Sequence, residues 1–126
     1  MTTRTIFEYL YRDAGNFKAF GSVALDGQLA SRDETLIRSK LESGEFFIAE
    51  QVGVPPLYDQ LYRWSDGPTG TDHCWHEFAG FRVAGPLEKR IECAGRLTDF
   101  VARFASVDRW DEGLSPHFAL SDGLLR

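Results

Sequence analysis

The chain has 126 residues and a formal net charge of −5, because 14 lysines and arginines stand against 19 aspartates and glutamates. Its length is that of a typical domain of ~100–150 residues, so residues 1–126 are expected to form one domain. Hydrophobic residues at 43% and aromatic residues at 13% supply a core and exclude intrinsic disorder, and the acidic balance argues against direct nucleic-acid binding, which depends on clustered lysine and arginine.

The first predicted element is a β-hairpin. Residues 5–12 alternate in the manner of a strand and are rich in β-branched and aromatic side chains. Residues 13–16 have the composition of a turn, and residues 17–25 resume an extended pattern. Gly21, inside the second strand, indicates a β-bulge.

A helix is predicted to follow the hairpin. Ser31 and Glu34 have the spacing of a capping box, in which each side chain bonds the backbone N–H of the other residue. Leucine and isoleucine at helical spacing predict a buried stripe through residues 36–41. Gly44 stands where a left-handed cap is expected.

A short strand, a second helix and a longer strand are predicted next. Residues 45–49 favour a third strand, and Pro55-Pro56 suit the first turn of a helix that ends near Trp64. Residues 73–83 carry apolar bulk on both alternating faces, which is typical of a central strand.

The strongest helical periodicity lies between residues 87 and 104, where apolar residues recur at steps of three and four. Acidic and basic residues on the outer side of this helix are spaced for i,i+4 pairs at Glu92-Arg96 and Asp99-Arg103. The resulting order is β-β-α-β-α-β-α. It predicts an α+β fold in which a mostly antiparallel sheet of about four strands packs against about three helices.

Chemically versatile side chains concentrate in residues 72–77, with the sequence DHCWHE. On a strand, Asp72, Cys74 and His76 point to one face, so with the distant His117 they could form a mixed metal site. A second alternative makes Cys74 a nucleophile that His76 activates. A third treats Cys74 as a small buried side chain and the histidines as hydrogen-bonded structural residues. Since the ligand spacing of known zinc motifs is absent, no metal is expected.

Aromatic side chains next to this segment favour a recognition surface. The candidate binding residues are Tyr58, Tyr62, Trp64, His73 and Trp75. Tyrosine and tryptophan are enriched at the centres of protein interfaces because each offers a large rigid contact area with a polar tip. The alternative is that the predicted helix packs these rings against its own sheet.

These features favour a protein-binding role without a cofactor. The chain has no P-loop, no dinucleotide-binding glycine motif and no nucleophile elbow. We therefore expect an accessory, immunity or inhibitor type of protein that presents a surface to another protein; one version acts on a nucleic-acid-handling complex. The alternative is a small metal-dependent or Cys/His enzyme centred on residues 72–77.

Compartment and assembly are less constrained. The longest apolar run, residues 46–49, is far shorter than the ~20 residues that cross a bilayer, and no signal-peptide pattern follows Met1, so we expect a cytoplasmic protein without membrane contact. Cys74 and Cys93 are then expected as reduced thiols, with a single disulfide as the alternative. A homo-oligomer is compatible with the sequence.

Two stretches, residues 46–57 (FFIAEQVGVPPL) and residues 72–77 (DHCWHE), resemble a group of small bacterial hypothetical proteins. The likeness covers about the middle third of the chain. It implies a bacterial cytosolic origin and carries no activity, fold or binding residue.

Overall fold

The computed structural model describes residues 3–12, 17–58, 73–85, 88 and 93–114, and within them the fold is α+β, as predicted. The elements in chain order are β1 (Arg4–Arg12), β2 (Lys18–Asp26), α1 (Ser31–Lys40), β3 (Phe46–Ile48), α2 (Ala49–Val52), β4 (Trp75–Val83), β5 (Cys93–Arg96), α3 (Leu97–Ala105) and a 3₁₀ turn (Glu112–Leu114).

The strands form one mixed sheet in the order β3-β4-β1-β2-β5. β1 pairs antiparallel with β2 and with β4, and β3 pairs antiparallel with β4. β5 pairs parallel with β2 at the opposite edge. The mostly antiparallel sheet is confirmed, and β5 is a fifth strand that the periodicity did not predict.

The predicted hairpin is confirmed, but the predicted bulge at Gly21 is wrong. β1 and β2 pair without a register shift along their whole length. The irregularity lies on the other side of β1, between Glu8 and Tyr9, where Gly80 of β4 has a φ of +147°. Gly21 meets a different need, because a Cβ there would lie 2.7 Å from Cδ2 of Leu57.

The predicted capping box at the start of α1 is also wrong. Ala30 is the N-cap, and its carbonyl accepts hydrogen bonds from the N–H groups of Asp33 and Glu34. Ser31 is thus already helical, one position too late to cap. The Glu34 carboxylate instead forms an ion pair with Arg38 at 2.9 Å.

The helix predicted from Pro55 is absent at residues 55–57. Residues 54–57 have no regular structure, the backbone is helical at Tyr58, and residues 59–64 lie outside the described residues. Pro56 accounts for the non-helical backbone at Pro55, because a proline disfavours helical backbone in the residue before it. The short helix α2 occupies residues 49–52 instead and ends at Gly53, which is left-handed with a φ of +75°.

The long helix predicted over residues 87–104 is confirmed only at its end, since residues 93–96 form β5 and α3 begins at Leu97. Residues 87 and 89–92 lie outside the described part of the chain. Arg96 is therefore in a strand, where it lies 3.6 Å from Asp99. Arg103 donates a hydrogen bond to the Val52 carbonyl at 2.7 Å, which ties α3 to α2.

The core lies between one face of the sheet and helices α1 and α3. Its largest apolar members are buried aromatic rings: Phe7, Tyr9, Tyr11, Phe47, Tyr58, Phe100 and Phe104. On the opposite face of the sheet, Leu10 pairs with Phe20, which is 69% exposed. Within the described residues, no helix is both long and apolar enough to cross a membrane.

Candidate functional site: an aromatic groove beside a buried histidine

His76 of β4 is fully buried in the core, and both of its ring nitrogens are hydrogen-bonded. Nε2 accepts a bond from the Leu57 N–H at 2.9 Å, and Nδ1 lies 3.1 Å from the Cys74 carbonyl. Because a carbonyl can only accept, the proton resides on Nδ1, and this defines a neutral tautomer.

Burial lowers the pKa of His76 to about 4, although the hydrogen bond to the Cys74 carbonyl and the nearby charge of Glu50 oppose the shift. The imidazole is therefore neutral at physiological pH. The His76 ring contacts the aromatic rings of four residues: Tyr9, Tyr11, Phe47 and Tyr58. Since the Nε2 lone pair already holds Leu57, His76 has no lone pair left for a proton or a metal ion in this conformation.

The tyrosine hydroxyls around His76 hold the neighbouring backbone in place. Tyr9 donates to the Pro55 carbonyl at 2.7 Å, and Tyr11 donates to the His73 carbonyl at 2.6 Å. Burial also raises the pKa of Tyr9 above its ordinary range, so its hydroxyl remains protonated. These bonds anchor the two chain segments on either side of residues 59–72 to β1.

Tyr58, one of the expected recognition residues, is 1% exposed. Its ring contacts Tyr11 edge-on at 5.7 Å, and its hydroxyl donates to a carboxylate oxygen of Glu50. It therefore belongs to the core and offers no surface to a partner. The other two expected residues on that predicted helix, Tyr62 and Trp64, lie outside the described residues and stay predictions.

His73 and Trp75, the remaining predicted residues, line an open groove of about 340 Å³ together with Glu42 and Phe46. The pairing of β3 with β4 brings these residues together, because it sets Ile48 opposite Trp75. An isolated bridge between Glu42 and Phe46 then closes the turn that leads into β3.

That turn requires two left-handed residues in succession, Ser43 with a φ of 53° and Gly44 with a φ of 76°. Gly44 was expected to cap α1, but the helix ends at Lys40 with Leu41 as its C-cap. The positive φ at Gly44 instead returns the chain towards β3. It places Glu42 at the groove.

Trp75 is held from both sides. Its indole Nε1–H donates to the Glu112 carboxylate at 2.8 Å, and its ring meets Trp110 edge-on at 6.4 Å. Trp110 is fixed in turn by a hydrogen bond to the Lys40 carbonyl at 2.9 Å. His73 accepts the Trp75 backbone N–H at Nδ1, 3.1 Å away. The aromatic wall of the groove is thus built before any ligand arrives.

The expected alternatives for metal or thiol chemistry find little support in this geometry. Among the described residues, no three histidine, cysteine or acidic side chains are placed to hold a metal ion. Cys74 is buried, Cys93 is partly exposed, and the two are not joined by a disulfide. Asp72 and His117, the other two proposed ligands, lie outside the described residues.

The sequence predicted His73 and Trp75 at this site but missed Glu42, Phe46 and Glu112. Glu42 and Phe46 reach the groove only through the turn and the β3–β4 register, and Glu112 is 37 residues from Trp75. A partial signal was available, since Phe46 precedes the core residue Phe47 and must point the other way on a strand.

A scan against protein-family models and searches of curated proteins and solved structures found no match to this chain.

Proposed function

We propose that the protein is a protein-binding module of the accessory, immunity or inhibitor type, and that its recognition site is the groove lined by Glu42, Phe46, His73 and Trp75. The observation that carries the proposal is the fixed, partly exposed indole of Trp75. Tryptophan in a pre-formed recess is the type of residue that dominates binding energy at protein interfaces.

The dimensions of the groove support the same proposal. Its volume of about 340 Å³ is at the low end of the ~300–1,000 Å³ of small-molecule pockets, so it accommodates one anchoring side chain better than a large cofactor. Because Glu112 and Trp110 already restrict the Trp75 ring, binding loses little side-chain freedom. Such a site suits a partner that inserts a single residue.

The experiment compares two phenylalanine variants on the same sheet. Phe46→Ser changes the groove, whereas Phe20→Ser changes β2, three strand positions from β3, where the side chain is 69% exposed. Circular dichroism and thermal unfolding first show that both variants are folded. The wild type and the two variants are then immobilised and incubated with native lysate, and the retained proteins are quantified by mass spectrometry. A protein retained by the wild type is purified and titrated against all three.

We expect Phe46→Ser to weaken the binding of that partner at least tenfold and Phe20→Ser to leave it within twofold. The proposal fails if the wild-type protein retains nothing more than the Phe46→Ser variant does. It also fails if Phe20→Ser is the variant that loses the partner, since the binding surface would then lie at β2 and not at the groove beside β3.

A further inference from the structure

The lining of the groove has the composition of a cation site. Phe46 and Trp75 contribute aromatic rings, His73 adds a third planar ring, and Glu42 contributes an exposed carboxylate. The face of an aromatic ring attracts a cation within about 6 Å of its centre, and tryptophan does so most strongly. A carboxylate beside such rings gives the positive group a charged hydrogen-bond acceptor.

Glu112 strengthens this property without lining the groove itself. Its carboxylate accepts the indole N–H of Trp75 at 2.8 Å. An anion on that N–H pushes electron density into the indole ring, so the negative face of the ring becomes more attractive to a positive charge. Two carboxylates, at Glu42 and Glu112, therefore act on one small recess.

Two basic side chains near the groove, Arg12 and Lys40, are engaged elsewhere. Arg12 forms an ion pair at 2.9 Å with Glu77, the residue of β4 that pairs with Phe46. Lys40 donates to the Val107 carbonyl at 2.9 Å. An apolar occupant would bury the Glu42 carboxylate without a partner, and an anionic occupant would face it directly, both of which are unfavourable. Charge complementarity thus selects a cation.

We infer that the groove receives an arginine or lysine side chain from a basic segment of the partner protein, with its charged group at Glu42 and its aliphatic stem against Phe46 and Trp75. This inference rests on the proposed function, because it names the chemistry of the partner at the same site. The net charge of −5 favours approach of such a segment.

The test uses three small probes: the Nα-acetyl methylamides of arginine, of lysine and of citrulline, the neutral isostere of arginine. Binding is followed by the NMR signal of the Trp75 indole N–H, which a Trp75→Phe variant identifies. Arginine or lysine is expected to shift this signal in a saturable manner, with at least tenfold weaker binding of citrulline. Added salt should weaken the arginine or lysine interaction.

A matched pair of variants separates direct contact from overall charge. Glu42→Gln and Glu45→Gln remove the same charge from the same turn, but only Glu42 lines the groove. We expect Glu42→Gln to weaken binding of the cationic probe at least fivefold and Glu45→Gln to leave it within twofold. Citrulline binding as well as arginine, or equal effects of the two variants, would overturn the inference.

The same variants distinguish this inference from the proposed function. If partner binding is lost in Phe46→Ser but unchanged in Glu42→Gln, the groove binds the partner through apolar contact alone, and only the cation inference fails. If Phe46→Ser binds the partner as the wild type does, the proposed function fails, and the inference about the partner fails with it.

Discussion

His76 makes the stability of the fold dependent on pH. Its pKa is lowered by burial from an ordinary 6.5 to about 4 in the folded protein. Between these two values the unfolded chain binds the proton and the folded chain does not. The stabilisation is therefore present in full above pH 6.5 and is lost as the pH falls towards 4, at about 1.4 kcal/mol per pH unit. Over the whole interval the loss is about 3 kcal/mol.

The measurement is urea unfolding of the wild type and of His76→Gln from pH 8 to pH 4. Glutamine is uncharged at every pH, and its amide can accept from the Leu57 N–H and donate to the Cys74 carbonyl, as the imidazole does. Carboxylates that titrate in this range are common to both proteins and cancel in the difference. We expect the unfolding free energy of the wild type, minus that of His76→Gln, to fall by about 3 kcal/mol between pH 7 and pH 4.

Two further variants define the cause. His73→Gln leaves the bond between Leu57 and His76 intact and removes only the smallest contribution to the lowered pKa of His76, so it should retain most of the wild-type pH dependence, relative to His76→Gln. His76→Leu removes the acceptor of the buried Leu57 N–H, and we expect it to cost about 1–3 kcal/mol at pH 7 beyond any change in packing. Parallel pH profiles for the wild type and His76→Gln would refute the reasoning, because a neutral buried imidazole requires the wild type to lose more stability than the variant as the pH falls.

Three more predictions concern packing and thiol reactivity. Gly21→Ala places a methyl group 2.7 Å from Cδ2 of the buried Leu57, whose side chain must shift to make room, so we expect a loss of about 1 kcal/mol in urea unfolding. The same substitution in a Leu57→Ala background should cost much less, and additive losses would contradict the reasoning. Phe100→Ala removes a fully buried ring and should lower the free energy of unfolding by about 3–5 kcal/mol. An unchanged midpoint of urea unfolding would contradict this prediction. In native protein Cys93 should alkylate well before the buried Cys74, and the reverse order, seen by peptide mass spectrometry, would revive the thiol-enzyme alternative.

The hairpin could be predicted from the sequence because its information is local. Alternation along β1 places Phe7, Tyr9 and Tyr11 in the core, and the turn composition at residues 13–16 separates two strands whose register the structure shows to be uninterrupted. A period of two residues specifies both the strand and its buried face, and no distant partner is needed to detect it.

β5 could not be predicted in the same way. Residues 93–96 continue the apolar spacing of the helix that follows, yet they pair in parallel with β2 at the far edge of the sheet. Parallel pairing depends on a distant strand and on backbone conformations such as the φ of +126° at Gly95. Periodicity within the segment contains neither piece of information, so it predicts a helix that begins before Leu97, where the structure has a strand.

For a similar reason, the sequence predicts only two of the four residues that line the groove. His73, just before β4, and Trp75, its first residue, belong to a local cluster of chemically versatile side chains that the sequence alone makes visible. Glu42 and Phe46 join them through strand register, and neither has a local signature. A turn with two left-handed residues, one of them a serine, is also a poor match to standard turn composition.

The density of chemical side chains in residues 73–76 is explained by the alternation at the start of β4. Cys74 and His76 point inward, where His76 bonds the Leu57 N–H and the Cys74 carbonyl. His73 and Trp75 are partly exposed, and both line the groove. One short segment thus serves the core on one face and the proposed binding site on the other, which gives the two faces separable mutational signatures. Substitution of His76 should lower the midpoint of unfolding without altering the affinity of the folded protein, whereas substitution at Phe46, across the groove, should lower the affinity with little change in that midpoint. If His76→Gln changed binding of the cationic probe as much as Glu42→Gln does, the two faces would be coupled. The separate assignment of His76 to stability and of the groove residues to binding would then be wrong.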